Sequence, residues 1–222
     1  MRTFDDILQI AAERHGGRDA ALADIPAPLS PEEIAALPDA RFLAAMARGI
    51  FQAGISWKVV DAKWPGITEA FHDFEPGPVS MIEGEALDAL LSDRRVIRSG
   101  PKITAIRDNA VFILDTAAEH GSFARRIADW PVSEFDGLLD WLKRGGARLG
   151  GNTGAYMLRA VGKDGYVLSR DVVGRLIAEG VIDKAPTSRR AMAAVQGAFN
   201  LWAEQGGQPL TTISRVLARS IG

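Results

Sequence analysis

The run Leu149-Gly150-Gly151-Asn152-Thr153-Gly154 follows a basic stretch holding Lys143, Arg144 and Arg148 and leads into a segment of helical spacing. Glycines permit positive φ and let another molecule come close to the main chain. A helix that starts directly after such a turn presents N–H groups without intrahelical acceptors, at the positive end of its dipole. Together these features make an anion site of the size of one phosphate. Lys143, Arg144, Arg148 and Arg159 flank it with the charge that a nucleic-acid backbone attracts. The same glycines also suit a helix–helix connection that needs only close packing. The chain beyond the turn favours binding. Some seventeen residues further on, Ser169-Arg170-Asp171 reads as an N-cap and first helical turn. A carboxylate there supports its own helix by ~0.3–1 kcal/mol. Alternatively, it faces a sugar that develops positive charge beside the backbone-gripping turn.

The whole chain must supply the rest. It has 222 residues, with 26 basic and 28 acidic side chains and a net charge of −2, so a polyanion is gripped locally rather than by an overall field. With 47% hydrophobic and 24% charged residues it is an ordinary globular sequence, not a disordered one. The absence of cysteine excludes a disulfide framework and a thiolate zinc site. His15, His72 and His120 have no ligand spacing; His72 reads as a turn residue and the other two as surface groups. No apolar run approaches the roughly 20 residues needed to cross a bilayer. The start, Met1-Arg2-Thr3-Phe4-Asp5-Asp6, is acidic where a signal peptide is basic. A soluble, cytoplasmic protein is expected.

Apolar spacing of three to four residues predicts an all-α fold of about ten helices. They fall near 3–14, 40–53, 56–63, 84–92, 101–120, 133–144, 153–162, 169–179, 187–205 and 210–220. In the fifth, Ile103, Ile106, Ala110, Ile113 and Ala117 form one stripe, opened by Pro101 and closed by Gly121. Ser30 with Glu33, and Ser80 with Glu83, read as capping boxes, the first opening a further helix. Residues 1–39, with a Pro-rich stretch from 18, read as a helical arm and linker, and residues 40–222 as the main domain.

A glycine hairpin followed at this interval by a helix-initial Asp resembles the helix-hairpin-helix DNA glycosylase superfamily. Three upstream segments sharpen the match. Phe51-Gln52-Ala53-Gly54-Ile55-Ser56-Trp57 is similar to the Gln-Ala-Gly-Leu-Ser-Trp segment of the 3-methyladenine DNA glycosylase I family. Phe71-His72-Asp73-Phe74-Glu75-Pro76 resembles that family's Phe-His-x-Phe-x-Pro turn, and Ile97 to Ala110 its Ile-Arg, Lys-Ile, Ala-Ile and Asn-Ala pairs. The resemblance covers about residues 40–180. It implies two helical lobes around a cleft. A hairpin (Arg148, Gly150, Gly151, Asn152, Thr153, Gly154) would hold duplex DNA, and Asp171 would act at the anomeric carbon. The family's zinc ligands align with Asp171 and Arg175, its pocket glutamate with Gly49, and the superfamily's Schiff-base lysine with Ala155. No metal, no cofactor and no lyase step are therefore expected.

Excision from duplex DNA requires the nucleotide to leave the stack, which costs a few kcal/mol and favours damaged bases. Trp57, with Phe51 and Gln52 beside it, is the candidate base pocket, although Trp and Phe serve equally as core. Lys102 is a candidate phosphate contact across the lesion. The expectation is a monomeric, monofunctional glycosylase for alkylated purines, acting on double-stranded DNA with damaged bases. The alternatives are a non-catalytic lesion-sensing DNA binder and a helical scaffold whose glycine turn is structural.

Overall fold

The computed structural model describes residues 1–221, and among them helices and turns account for all regular structure, with no strand. Two compact units are present. One contains Met1–Leu29, Trp130–Leu138 and the chain from Gly162 onward; the other contains Ser30–Asp129 and Leu139–Val161. No helix among the described residues is long and apolar enough to cross a membrane.

The first unit opens with α1 (Phe4–His15) and α2 (Arg18–Leu22). In α1 the Thr3 hydroxyl accepts from the Asp6 N–H and the Asp6 carboxylate accepts from Thr3, which satisfies two donors that the helix leaves open. Helix α2 lies where a linker was expected, a single turn with too few residues to show a period.

The second unit holds α3 (Pro31–Ala35), α4 (Asp39–Gln52), α5 (Trp57–Ala70), α6 (Pro76–Ser80), α7 (Gly84–Ser92), α8 (Gly100–His120) and α9 (Phe123–Ala128). It ends with most of α10 (Phe135–Gly145) and with α11 (Thr153–Ala160). Its core is the buried stripe of α4 (Phe42, Leu43, Met46, Ile50) and that of α8 (Ile103, Ile106, Ala110, Ile113). The Ser30 capping box forms as expected. The Ser80 one does not: Ser80 closes α6 with its hydroxyl on the Gly77 carbonyl, and Glu83 caps α7 through its backbone.

Helix α5 runs on past the expected end at residue 63, through Pro65. Proline there removes one intrahelical donor, yet Val60 and Ile67 on either side are fully buried and hold the helix in place. It leads into a left-handed turn in which His72, Asp73 and Phe74 have φ of 52°, 54° and 60°. Such residues cost about 1–2 kcal/mol each. A ring stack compensates: Phe74 lies 5.5 Å from Phe71 and 5.3 Å from Trp64, nearly parallel to both. The Phe-His-x-Phe spacing is the sequence form of that stack.

The first unit resumes with α12 (Arg170–Ala178), α13 (Arg189–Gly206) and α14 (Leu210–Arg219). A column of rings fills it: Phe135 to Tyr166 at 4.9 Å, Tyr166 to Phe199 at 4.3 Å, and Phe199 to Trp202 at 5.8 Å. The non-helical segment before α12 is pinned to α14. Asp164 accepts from the Leu210 and Thr211 N–H groups at 3.1 and 2.8 Å, and the Val167 N–H donates to the Ser214 hydroxyl at 3.1 Å. The entry into α12 is therefore fixed in direction.

Candidate functional site

In the second unit α10 and α11 flank the glycine turn, so the expected helix–hairpin–helix is present. One buried side chain fixes the loop. Asn109 of α8, fully buried, accepts from the Ala147 N–H at 2.7 Å and donates to the Ala147 carbonyl at 3.0 Å. A side-chain amide is the group that can satisfy both main-chain functions of one residue at once. The Asn of the Asn-Ala pair noted in the sequence makes this clamp.

The turn's glycines divide by task. At Gly154 an added Cβ would lie 2.8 Å from the Leu149 carbonyl, so its role is close backbone approach. Gly151, at φ +61°, faces open space. Packing and exposure thus coexist in one loop. Among the described residues, the Gly150 and Gly151 N–H groups find no acceptor within the chain, whereas the Thr153 and Gly154 N–H groups bond back to Gly150 and Leu149. Arg148 is exposed and left-handed at φ 59°. Lys143 is exposed, and Arg144 pairs with Asp140 at 3.0 Å on the surface. The loop therefore offers two amides and mobile positive charge to an anion.

Beside it, Trp57 opens α5 and is 57% exposed, its ring in edge-to-face contact with Tyr156 of α11 at 6.2 Å. Sequence reasoning did not select Tyr156; its single signal was a position one turn after the glycine hairpin. Gln52, half-buried, ends α4. Phe51 is a correction: its ring is fully buried against Phe71 at 6.1 Å and presents no face to a ligand. Lys102 is another. Its ammonium donates to the Phe51 and Ala53 carbonyls at 3.0 and 2.7 Å, closing the C-terminal end of α4. Burial, and then the Arg148 charge, holds the Lys102 pKa below its ordinary value.

Gly49 lies on the face of α4 that meets α11. A Cβ there would sit 3.1 Å from the Thr153 methyl, so the position aligned with an acidic side chain is closed by the hairpin helix.

In the first unit Ser169 caps α12, its hydroxyl accepting from the Val172 N–H at 3.3 Å, and Asp171 occupies the first turn. Asp171 is half-buried, and among the described residues its carboxylate has no hydrogen-bond or ion-pair partner. Arg175, one turn on, is 6% exposed. It donates through Nε to the Ser220 hydroxyl and through Nη2 to the Ser220 carbonyl, both at 2.8 Å, and pairs with Glu179 at 3.1 Å. Glu179 also accepts from the Arg2 main-chain N–H at 2.7 Å and from its guanidinium at 2.9 Å. Burial alone would raise the Glu179 pKa, but these hydrogen bonds from Arg2 and Arg175 outweigh it and hold the carboxyl below its ordinary value. A guanidinium so engaged cannot ligate a cation, and among the described residues no group of three His, Cys, Asp or Glu could hold a metal ion. The residues do not fit a zinc ion.

An all-helical fold with a clamped glycine hairpin defines a helix-hairpin-helix protein. Residues 37–135 match the family model described as Methyladenine glycosylase. Over that segment the chain is similar to the methyladenine glycosylases. It is 39% identical over 59 residues to DNA-3-methyladenine glycosylase 1 of Escherichia coli (strain K12), covering 27% of this chain and 32% of that one, so the match spans about a third of the curated relative. A crystal structure of 3-methyladenine DNA glycosylase I (TAG) superposes with a TM-score of 0.50 at 25% identity, over 61% of this chain and 81% of the other. The Staphylococcus aureus enzyme, in a structure on 3-methyladenine recognition, superposes with a TM-score of 0.51 at 22% identity, over 65% and 83%.

Proposed function

We propose that the protein is a monofunctional DNA glycosylase that hydrolyses the N-glycosidic bond of alkylated purines in duplex DNA. The observation that carries this reading is the Asn109-clamped hairpin, with two open amides and exposed Arg148, in a chain related to methyladenine glycosylases. The hairpin holds a backbone phosphate, and an everted base lies against Trp57. An N3- or N7-alkylated purine already carries positive charge and leaves as a neutral base, so strong protonation is not required. The glycosidic bonding pair departs with the base, the sugar becomes oxocarbenium-like, and water adds at the anomeric carbon while losing a proton. The Asp171 carboxylate stabilises the cationic sugar and orients that water, a contribution of several kcal/mol in a water-poor site. No metal or cofactor takes part, and Ala155 leaves no amine for a Schiff base.

The reading is tested by incubating the full chain with methylated and unmethylated duplex DNA. Release of free methylpurine, with alkali-labile abasic sites in the methylated duplex alone, is expected. Salt-sensitive binding without base release would favour a lesion-sensing, non-catalytic protein instead.

A further inference from the structure

The Asp171 carboxylate is half-buried and, among the described residues, accepts no hydrogen bond and forms no ion pair. A side chain without partners of its own takes its direction from the backbone that carries it. Whatever fixes the short helix α12 therefore fixes the carboxylate. Val172 and Leu176 bury one face of that helix, but apolar burial is non-directional. Hydrogen bonds are directional, and they hold α12 at both ends. Just before its first turn the Val167 N–H donates to Ser214 of α14. One turn beyond Asp171, Arg175 spends Nε and Nη2 on Ser220, which caps α14, and Nη1 on Glu179.

Three donors of one rigid plane, engaged at once, leave the guanidinium a single orientation. Its partner Glu179 is held in turn by the Arg2 main chain and guanidinium, and the Arg2 carbonyl accepts from Trp202 Nε1 at 3.0 Å. Residues four apart share a helix face, so this anchor lies on the same side of α12 as the carboxylate. We propose that Arg175 is a positioning residue for Asp171: its guanidinium, locked by Ser220 and Glu179, sets the rotation of α12 and so the aim of the carboxylate at the cationic sugar. The proposal rests on the glycosylase reading above, and it gives the buried network a part in rate as well as in stability.

The test is a double-mutant comparison on the full chain. Single-turnover release of methylpurine is measured for wild type, Arg175→Lys, Asp171→Asn and the double variant, at equal folded fraction. Lysine keeps the charge without the planar fork. Arg175→Lys should release base about tenfold more slowly than wild type, with unchanged DNA affinity, because a small misplacement of a reacting group is costly. In the Asp171→Asn background the same substitution should change nothing. Equal slowing in both backgrounds marks a merely structural role and overturns the proposal. Ser220→Ala, which removes one hydroxyl, should show the same dependence with a smaller effect, and it replaces Arg175→Lys if that variant does not fold. A second readout needs no bond cleavage: affinity for a duplex with a cationic pyrrolidine abasic analogue against one with neutral tetrahydrofuran. Wild type should prefer the cationic duplex several-fold, and Arg175→Lys and Asp171→Asn should both lose that preference. A preference kept in full by Arg175→Lys overturns the positioning role alone. No preference in the wild type overturns the reading of Asp171 and this proposal with it. The expected preferences without any methylpurine release uphold the positioning and sink the activity alone.

Discussion

Two buried polar devices, one in each unit of the molecule, are built from opposite materials. In the second unit a neutral amide, Asn109, meets the main chain of a single residue with one donor and one acceptor. In the first, two guanidiniums and a carboxylate join Arg2, near the start of the chain, to Glu179, Arg175 and Ser220. A neutral amide costs little to bury once both its functions are satisfied, and it fixes a loop without projecting charge into it. That suits a loop whose own Gly150 and Gly151 amides are left open. A charge network is costly to desolvate and strong only when complete, which suits a fastening of distant chain segments. The hairpin is thus positioned by geometry, whereas Arg2 and Ser220 are held to α12 by electrostatics.

Removing Arg175 should have the largest effect. Arg175→Met leaves the buried Glu179 with Arg2 alone, and a urea titration should show a loss of about 3 kcal/mol. Next comes Asn109→Leu, which keeps the shape but leaves the Ala147 N–H and carbonyl without partners. A loss of about 2 kcal/mol is expected. Unlike the first variant, it should also weaken DNA binding at low salt when compared at equal folded fraction. If both variants changed stability and binding in the same proportion, the division of roles would be wrong.

The smallest effect is acid sensitivity. The Glu179 carboxyl has a folded pKa below its ordinary value of 4.5, so its stabilisation is present above that pH and is lost as pH falls through the folded value. Below pH 4.5 the urea midpoint of the wild type should therefore fall more steeply than that of Glu179→Gln. Parallel curves would remove the carboxylate from the network's account.

Much of the fold could be read from the sequence. Helix α8 declared itself by its stripe and by Pro101 and Gly121, and the hairpin by its glycines and the change of helix. Asp171 in a first turn followed from Ser169 alone. The losses have physical causes. Short helices such as α2 and α9 have too few turns to show a period, and Pro65 reads as a breaker although burial on both sides carries α5 through it. Phe51 and Trp57 are six residues apart with similar chemistry, yet one is sealed in the core and the other opens a helix at the surface. Spacing does not distinguish those fates. The bonds of Lys102 to the carbonyl end of α4 were not legible either, because a cation's partners are set by tertiary structure.

The proposed role of the Asp171 carboxylate is to support departure of an alkylated base. Single-turnover release of methylpurine from methylated duplex, by wild type and by Asp171→Asn, tests it most directly, with DNA affinity measured alongside. The account predicts release by the wild type, a rate at least about 10²-fold lower for Asp171→Asn, and unchanged affinity. Equal rates for the two proteins would contradict it.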